Sequence, residues 1–126
     1  MELVYRPADG PEQVFELDPE DLDLEELGLL EQYTGKTFEQ IAQALGRRQG
    51  FVGILRAMLF IYLRRGNPDI QYRDVKPKLR QLEVRPSLAE LLDLEQKILA
   101  DPKYPQRDRA LAEVRDDIAE ATARRS

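Results

Sequence analysis

The sequence predicts a mainly α (α+β) protein, in which a short N-terminal β-hairpin packs on a three-helix core and a two-helix C-terminal extension follows. Two strand-like segments lie near the N-terminus, and beyond residue 23 apolar residues recur at helical spacing between helix start and stop signals. The stretch "DPKYPQ" then separates the last two helices. Of the 126 residues, 42% are hydrophobic and 34% are charged, so the chain can both fill a core and solvate its surface.

The N-terminal hairpin is predicted from the segments "ELVYR" and "EQVFEL", which flank the turn signal "PADGP". Val4, Tyr5, Val14 and Phe15 are side chains that favour strands. Because an isolated hairpin is only marginally stable in water, we expect it to pack on the helices.

Two short helices are predicted next. Asp23 and Glu26 have the spacing of a capping box at the start of the first helix, and Gly35 is expected to end it. Thr37 is expected to cap the second helix and Gly46 to end it. Their expected apolar stripes are Leu24, Leu27 and Leu30 on the first and Phe38, Ile41, Ala42 and Leu45 on the second.

The third helix is predicted from about Gly50 to Arg65. Its apolar residues occur on nearly every face, which is typical of a central, buried helix. We expect Leu55, Met58, Leu59 and Tyr62 to lie near the centre of the core. The following stretch, 70–85, is compatible with a short helical turn and then an extended piece, "RQLEV".

The C-terminal extension begins with a second capping-box pattern, Ser87 with Glu90. We therefore divide the chain into a hairpin-plus-helices domain, 1–86, and a helical extension, 87–126, with a linker near 101–106. Two prolines in this linker prevent the two predicted helices from forming one continuous helix. We expect the last helix, about 107–123, to swing and to dock its narrow stripe on its own domain or on a partner. That stripe is Leu111, Val114, Ile118 and Ala121.

The composition argues against an enzyme. The chain has no Cys and no His, which removes thiolate nucleophiles, the commonest general base and the commonest ligands of transition metals. We predict no catalytic residue, no cofactor and no metal. The N-terminus has no basic segment followed by an apolar run, and no uncharged run is longer than 57–63. We therefore expect a cytoplasmic protein that is neither secreted nor inserted in a membrane.

The segment "YTGKTFEQIAQALGRRQG" suggests two nucleic-acid or nucleotide functions. A phosphate-binding loop requires a glycine five residues before Gly35, where the chain has Leu30, and a preceding strand. A helix-turn-helix fits better, with Ile41, Ala42 and Leu45 facing Val52 and Leu55. Its recognition helix, however, offers one charged side chain, Arg56, and the net charge of −5 disfavours binding to a polyanion.

The charge is divided along the chain. Residues 1–45 carry 12 acidic and 2 basic side chains, whereas residues 46–86 carry 3 acidic and 10 basic ones. One interpretation is that the two parts face each other within one domain. The other is a basic surface for a partner, with Arg47, Arg48, Arg64 and Arg65 as its candidate residues. Leu111, Val114 and Ile118 are further candidate partner-binding residues.

Several short features occur in a fixed order between about residues 20 and 80. A Leu/Glu-rich helix ends in Thr34-Gly35, a short helix follows, and the central helix ends in Leu63-Arg64-Arg65 before Pro68-Asp69 and Asp74-Val75. In this order the chain resembles the tail assembly chaperones of long-tailed, siphovirus-type bacteriophages of actinobacterial hosts. Residues 87–126 carry no motif of that family.

The resemblance implies a protein that binds the long, helical tape-measure protein during tail morphogenesis, inside the bacterial host, and is absent from the finished particle. Its expected partners are the tape-measure protein or other phage tail proteins, and a second copy of the chain, without nucleic acid or membrane. Two alternatives stay open. The first is a virion structural or connector protein retained in the particle, and the second is a small helix-turn-helix DNA-binding regulator.

Overall fold

The computed structural model describes residues 1–47 and 52–125. Over these residues the chain forms five α-helices and a small three-stranded antiparallel sheet and is 63% helical, which confirms the mainly α (α+β) class. In chain order the elements are β1 (Glu2–Tyr5), β2 (Gln13–Glu16), α1 (Leu24–Thr34), α2 (Phe38–Arg47), α3 (Val52–Gly66), β3 (Leu82–Arg85), α4 (Leu88–Ala100) and α5 (Arg107–Arg125). Single 3-10 turns occur at Pro19–Asp21, Tyr72–Asp74 and Leu79–Gln81. The chain divides into two compact units, Glu2–Val84 and Arg85–Ser126, and Met1 groups with the second.

The sheet has the strand order β2-β1-β3, with β1 in the middle. The predicted hairpin is present, and its antiparallel register pairs Leu3 with Phe15 and Val4 with Val14. Leu3 and Val4 point to opposite faces of the sheet, yet both are fully buried, so β1 is covered on both faces. The extended piece predicted near residues 80–84 corresponds to β3. The sequence did not predict that β3 pairs with β1.

Helix α1 begins and ends where the sequence predicts. The Asp23 carboxylate accepts a hydrogen bond from the backbone N–H of Glu26 (2.8 Å), and the Glu26 carboxylate accepts one from the N–H of Asp23 (3.1 Å). Gly35 ends the helix in the left-handed conformation, with φ of 68°. Of the expected apolar stripe, Leu30 is fully buried but Leu24, in the first turn, is 86% exposed.

Helix α2 has the predicted start, because Thr37 Oγ1 accepts a hydrogen bond from the N–H of Gln40 (3.2 Å). The predicted end at Gly46 is wrong, since the helix continues to Arg47. A glycine ends a helix by taking a positive φ, and Gly46 is not among the described glycines that do so. Ile41 and Leu45 are buried, whereas Ala42 is exposed.

Helix α3 is the centre of the first unit, as predicted. It buries more side chains than any other described helix, and all four expected core residues are among them. Tyr62 ties α3 to the sheet: its ring stacks on Phe15 at 5.0 Å between centroids, and its hydroxyl donates to the Glu16 carbonyl at 2.6 Å. The buried residues of α3 are Ile54, Leu55, Ala57, Met58, Leu59, Phe60, Ile61 and Tyr62.

The second unit is a pair of packed helices. The Ser87 hydroxyl caps α4 through the predicted capping box, accepting from the N–H of Glu90 at 3.3 Å. After the turns at 101–106, α5 folds back along α4, so that Arg107 lies beside Ile98 and Arg115 lies beside Glu95. The shared core consists of Leu91, Ile98, Leu111, Val114 and Ala121, with Leu88, Tyr104, Ala110 and Ile118 packed against it.

Candidate partner-binding groove

The predicted partner residues Arg64 and Arg65 are engaged within the fold. The guanidinium of Arg65 donates two hydrogen bonds to the Glu26 carboxylate, at 2.7 and 3.0 Å, and lies over the ring of Tyr62. Arg64 donates to Glu25 at 2.8 Å. Both arginines therefore fix the end of α3 to the start of α1. These contacts agree with the interpretation in which the acidic and basic parts of one domain face each other.

The other predicted arginines lie elsewhere. Arg47 is exposed at the end of α2, where a cation suits the negative end of the helix dipole. Arg48 lies outside the described residues. The structure thus brings Arg64 and Arg65 together but joins neither of them to Arg47.

The predicted stripe on α5 faces α4. Leu111 and Val114 are buried in the contact between the two helices, and Ile118 packs against the same core. The stripe therefore docks on α4 of its own unit. A partner could reach Leu111 or Val114 only by separating α5 from α4.

An apolar groove lies elsewhere on the first unit, between the start of α3 and the segment that follows it. Its volume is about 450 Å³. Two of its lining side chains are aliphatic and largely exposed, Val52 at 67% and Leu79 at 75%. The full lining is Val52, Gly53, Arg56, Tyr72, Lys76, Pro77, Leu79 and Leu82. Exposed aliphatic side chains around a concave surface are typical of a binding site for an apolar partner.

Arg56 and Tyr72 hold the walls of this groove together. The guanidinium of Arg56 donates to the carbonyls of Val75 (2.6 Å) and Tyr72 (3.2 Å), and it lies 4.1 Å from the centroid of the Tyr72 ring. The same ring stacks on Tyr33 of α1 at 4.1 Å and meets the edge of Phe60 at 5.5 Å. The segment after α3 is thereby fixed on the helix, and the groove is preformed.

The wall after α3 is strongly basic. Residues 71–82 contain four cations and one anion, which gives this segment a net charge of +3. Lys76 lines the groove, and Lys78 and Arg80 are exposed on either side of Leu79. The groove therefore combines apolar anchors with a rim that attracts acidic side chains.

The geometry also bears on the helix-turn-helix alternative. That alternative places Val52 against α2, whereas Val52 is largely exposed and lines the groove. The single charge expected on a recognition helix, Arg56, has its N–H groups directed to the backbone of the segment after α3.

The sequence did not single out Val52, Leu79 or Leu82 as functional residues. The sequence did carry a signal for Leu79, which is an isolated leucine in the basic run "KPKLR". This run does not have the apolar pattern of a buried strand or of a buried helix. Helical or strand periodicity does not identify such a residue, because its exposure depends on the packing of the whole segment on α3.

None of the residues in the described ranges, 1–47 and 52–125, forms a helix that is both long enough and apolar enough to cross a bilayer. Comparison of the chain with protein-family models, with curated proteins and with solved structures gives no match.

Proposed function

We propose that this chain is a phage tail assembly chaperone, which binds an amphipathic segment of the helical tape-measure protein in the groove between α3 and the segment after it. The observation that carries this proposal is the pair of largely exposed aliphatic side chains, Val52 and Leu79, at a preformed apolar groove. The order of features between residues 20 and 80 supplies the resemblance to that family.

The chemistry of the groove suits such a partner. A tape-measure protein is long and helical, and before assembly its helices expose apolar faces that would otherwise aggregate. A groove with apolar anchors accepts one face of an amphipathic helix, in which anchors recur every three or four residues. The basic rim favours a segment with acidic residues beside those anchors. Binding of this kind requires neither a cofactor nor catalysis, and it belongs in the host cytoplasm, where tails assemble.

The proposal is tested by co-expression with the partner that it requires, the tape-measure protein of the same phage. We expect that protein to stay in the soluble fraction and to co-purify with this chain, and to aggregate when it is expressed alone. Equal solubility with and without the chain, together with no co-purification, would contradict the proposal.

Two further measurements separate the alternative functions. A chaperone is absent from purified particles, whereas a structural or connector protein is detected there by mass spectrometry. A DNA-binding regulator binds duplex DNA with an affinity that falls steeply as salt rises. We expect no such affinity at low salt.

A further inference from the structure

An exposed leucine lies among carboxylates at the start of α1. Leu24 is 86% exposed, at the corner where the 3-10 turn Pro19–Asp21 meets the first turn of α1. Residues 18–25, which we call the acidic segment, contain five carboxylates and no cation, and all five carboxylates are exposed. The acidic segment therefore presents one apolar side chain surrounded by negative charge.

The groove between α3 and the segment after it has the complementary character. Its exposed aliphatic side chains, Val52 and Leu79, lie beside a wall with a net charge of +3. Within the described ranges no carboxylate forms an ion pair with the cations of this wall, which are Arg73, Lys76, Lys78 and Arg80. Among the same residues, the acidic segment has one ion pair, between Glu25 and Arg64. Both surfaces thus keep charge available for a partner of the opposite sign.

The acidic segment cannot reach the groove of its own chain. Arg64, in the last turn of α3, donates to Glu25 at 2.8 Å, whereas Val52 lies at the other end of that helix. The 15 residues of α3 separate the two ends by roughly 20 Å, at 1.5 Å per residue. Complementary surfaces at opposite ends of one unit fit a head-to-tail contact between two copies.

We propose that the acidic segment of one copy docks in the groove of the next, with Leu24 against Val52 and Leu79 and with its carboxylates beside the basic wall. The contact joins two different surfaces, so copies associate head to tail and form open chains unless the rotation closes a ring. One side chain and its surroundings make a contact smaller than a standard protein interface, so the association is weak and depends on concentration.

This inference rests on the two surfaces and does not depend on the proposed function. If that function also holds, the tape-measure protein competes with self-association for the groove, and at low concentration of the chain the groove is open to it. The two are tested separately. Tape-measure binding without self-association would contradict this inference alone, and self-association without tape-measure binding would contradict the proposed function alone.

Sedimentation equilibrium of the full chain, across a range of concentrations, measures the association. We expect the mass to rise from 14.6 kDa to beyond twice that value, because each pair of copies still has one free surface of each kind. Raising the salt concentration from about 50 mM to about 500 mM should weaken the association, since salt screens exposed charges. A wild type that stays monomeric at all concentrations, or an association that salt does not weaken, would overturn the proposal.

Two variants, each with one surface altered, test the head-to-tail arrangement. Leu24→Ser alters the acidic segment and keeps the groove, whereas Leu79→Asp alters the groove and keeps the acidic segment. We expect each variant alone to associate with a dissociation constant raised at least about tenfold. An equimolar mixture should form a dimer at the wild-type concentration range and nothing larger, because one intact surface of each kind remains.

Leu92→Ser is the control, because Leu92 is an exposed leucine, at 44%, of the other compact unit, Arg85–Ser126. It should associate like the wild type. Absence of a dimer in the mixture, assemblies larger than a dimer there, or equal weakening by Leu92→Ser would each contradict the proposal. Circular dichroism establishes that each variant is folded, and the salt series on the wild type tests the contact even if one variant is not.

Discussion

Arg65 and Glu26 form a bidentate ion pair that joins the last turn of α3 to the first turn of α1, across 39 residues of sequence. Glu26 is buried, and its carboxylate also accepts the capping hydrogen bond from Asp23. One carboxylate thus starts a helix and fixes that helix on the central one. The hydrogen bond from Arg65, followed by the capping bond, holds the pKa of Glu26 below its ordinary value, against the opposing effect of burial.

Neutralising Glu26 should therefore destabilise the protein and reduce its sensitivity to acid. Because the folded-state pKa of Glu26 is lowered, its stabilisation is present above the ordinary value of 4.5 and is lost as the pH falls through the lowered one. We expect Glu26→Gln to lower the free energy of unfolding at neutral pH by about 1–3 kcal/mol. Urea unfolding at neutral pH and at successively more acidic pH should show the variant and the wild type converging as the pH falls.

Glu25→Gln is the control for that experiment. Glu25 pairs with Arg64 at 2.8 Å, but its side chain is 71% exposed, so the pair is screened by solvent. We expect Glu25→Gln to lower the free energy of unfolding by less than about 1 kcal/mol. If Glu25→Gln lowers the free energy of unfolding as much as Glu26→Gln does, burial of the Glu26 carboxylate does not explain the effect of the Glu26 substitution.

The contact of Tyr62 with the sheet predicts a response to alkaline pH. Burial raises the pKa of Tyr62 from 10.0 to about 12. The folded protein thus favours the neutral phenol, and this stabilisation is present below pH 10.0 and is lost as the pH rises toward about 12.

Tyr62→Phe removes the titrating group and the hydrogen bond to the Glu16 carbonyl but keeps a ring to stack on Phe15. We expect it to cost about 1 kcal/mol at neutral pH. Subtracting the ultraviolet titration curve of the variant from that of the wild type isolates the Tyr62 phenolate. A midpoint near 10 in that difference would show that the Tyr62 hydroxyl is solvated.

Truncating the centre of α3 tests the core. Leu59 is fully buried, so Leu59→Ala should lower the free energy of unfolding by about 2–5 kcal/mol. Leu24→Ala is a matched control, because Leu24 is 86% exposed and its truncation leaves no cavity. Chemical denaturation measures both variants, and equal losses would contradict the assignment of Leu59 to the core.

Removing α5 should expose the apolar face of α4. We expect deletion of residues 103–126 to leave Leu91 and Ile98 without their partners. The helical signal of α4 should then be lost together with that of α5. The unit Glu2–Val84, whose centre is α3, should keep a cooperative melting transition. Amide hydrogen exchange of the truncated chain distinguishes the two regions. Full protection of α4 without α5 would show that the contact between these helices is dispensable.

Local chemistry explains which parts of the fold could be predicted from the sequence. A capping box needs residues only three apart, so the helix starts at Asp23, Thr37 and Ser87 were predicted correctly. The density of apolar residues on α3 likewise identified the centre of the core.

The features that the sequence did not predict depend on distant partners. Pairing of β3 with β1 joins segments about 80 residues apart, and the contact of Arg65 with Glu26 joins residues 39 apart. The stripe on α5 was read correctly as apolar, but its partner is another helix of the same unit. The groove is visible only after folding, because the exposure of Leu79 follows from how its segment packs on α3.

Two exposed leucines, one inside the groove and one outside it, test whether the groove binds the proposed partner. Leu79 is 75% exposed and lines the groove, whereas Leu24 is 86% exposed and lies outside its lining. Either one should accept an aspartate without loss of the fold, since neither side chain is part of the core.

The measurement is the affinity of each variant for the proposed tape-measure partner, determined by titration calorimetry or by quantitative co-purification. We expect Leu79→Asp to weaken binding at least about tenfold and Leu24→Asp to leave it close to the wild-type value. Wild-type affinity in the Leu79→Asp variant, with the partner bound by all three proteins, would contradict the assignment of the groove as the binding site.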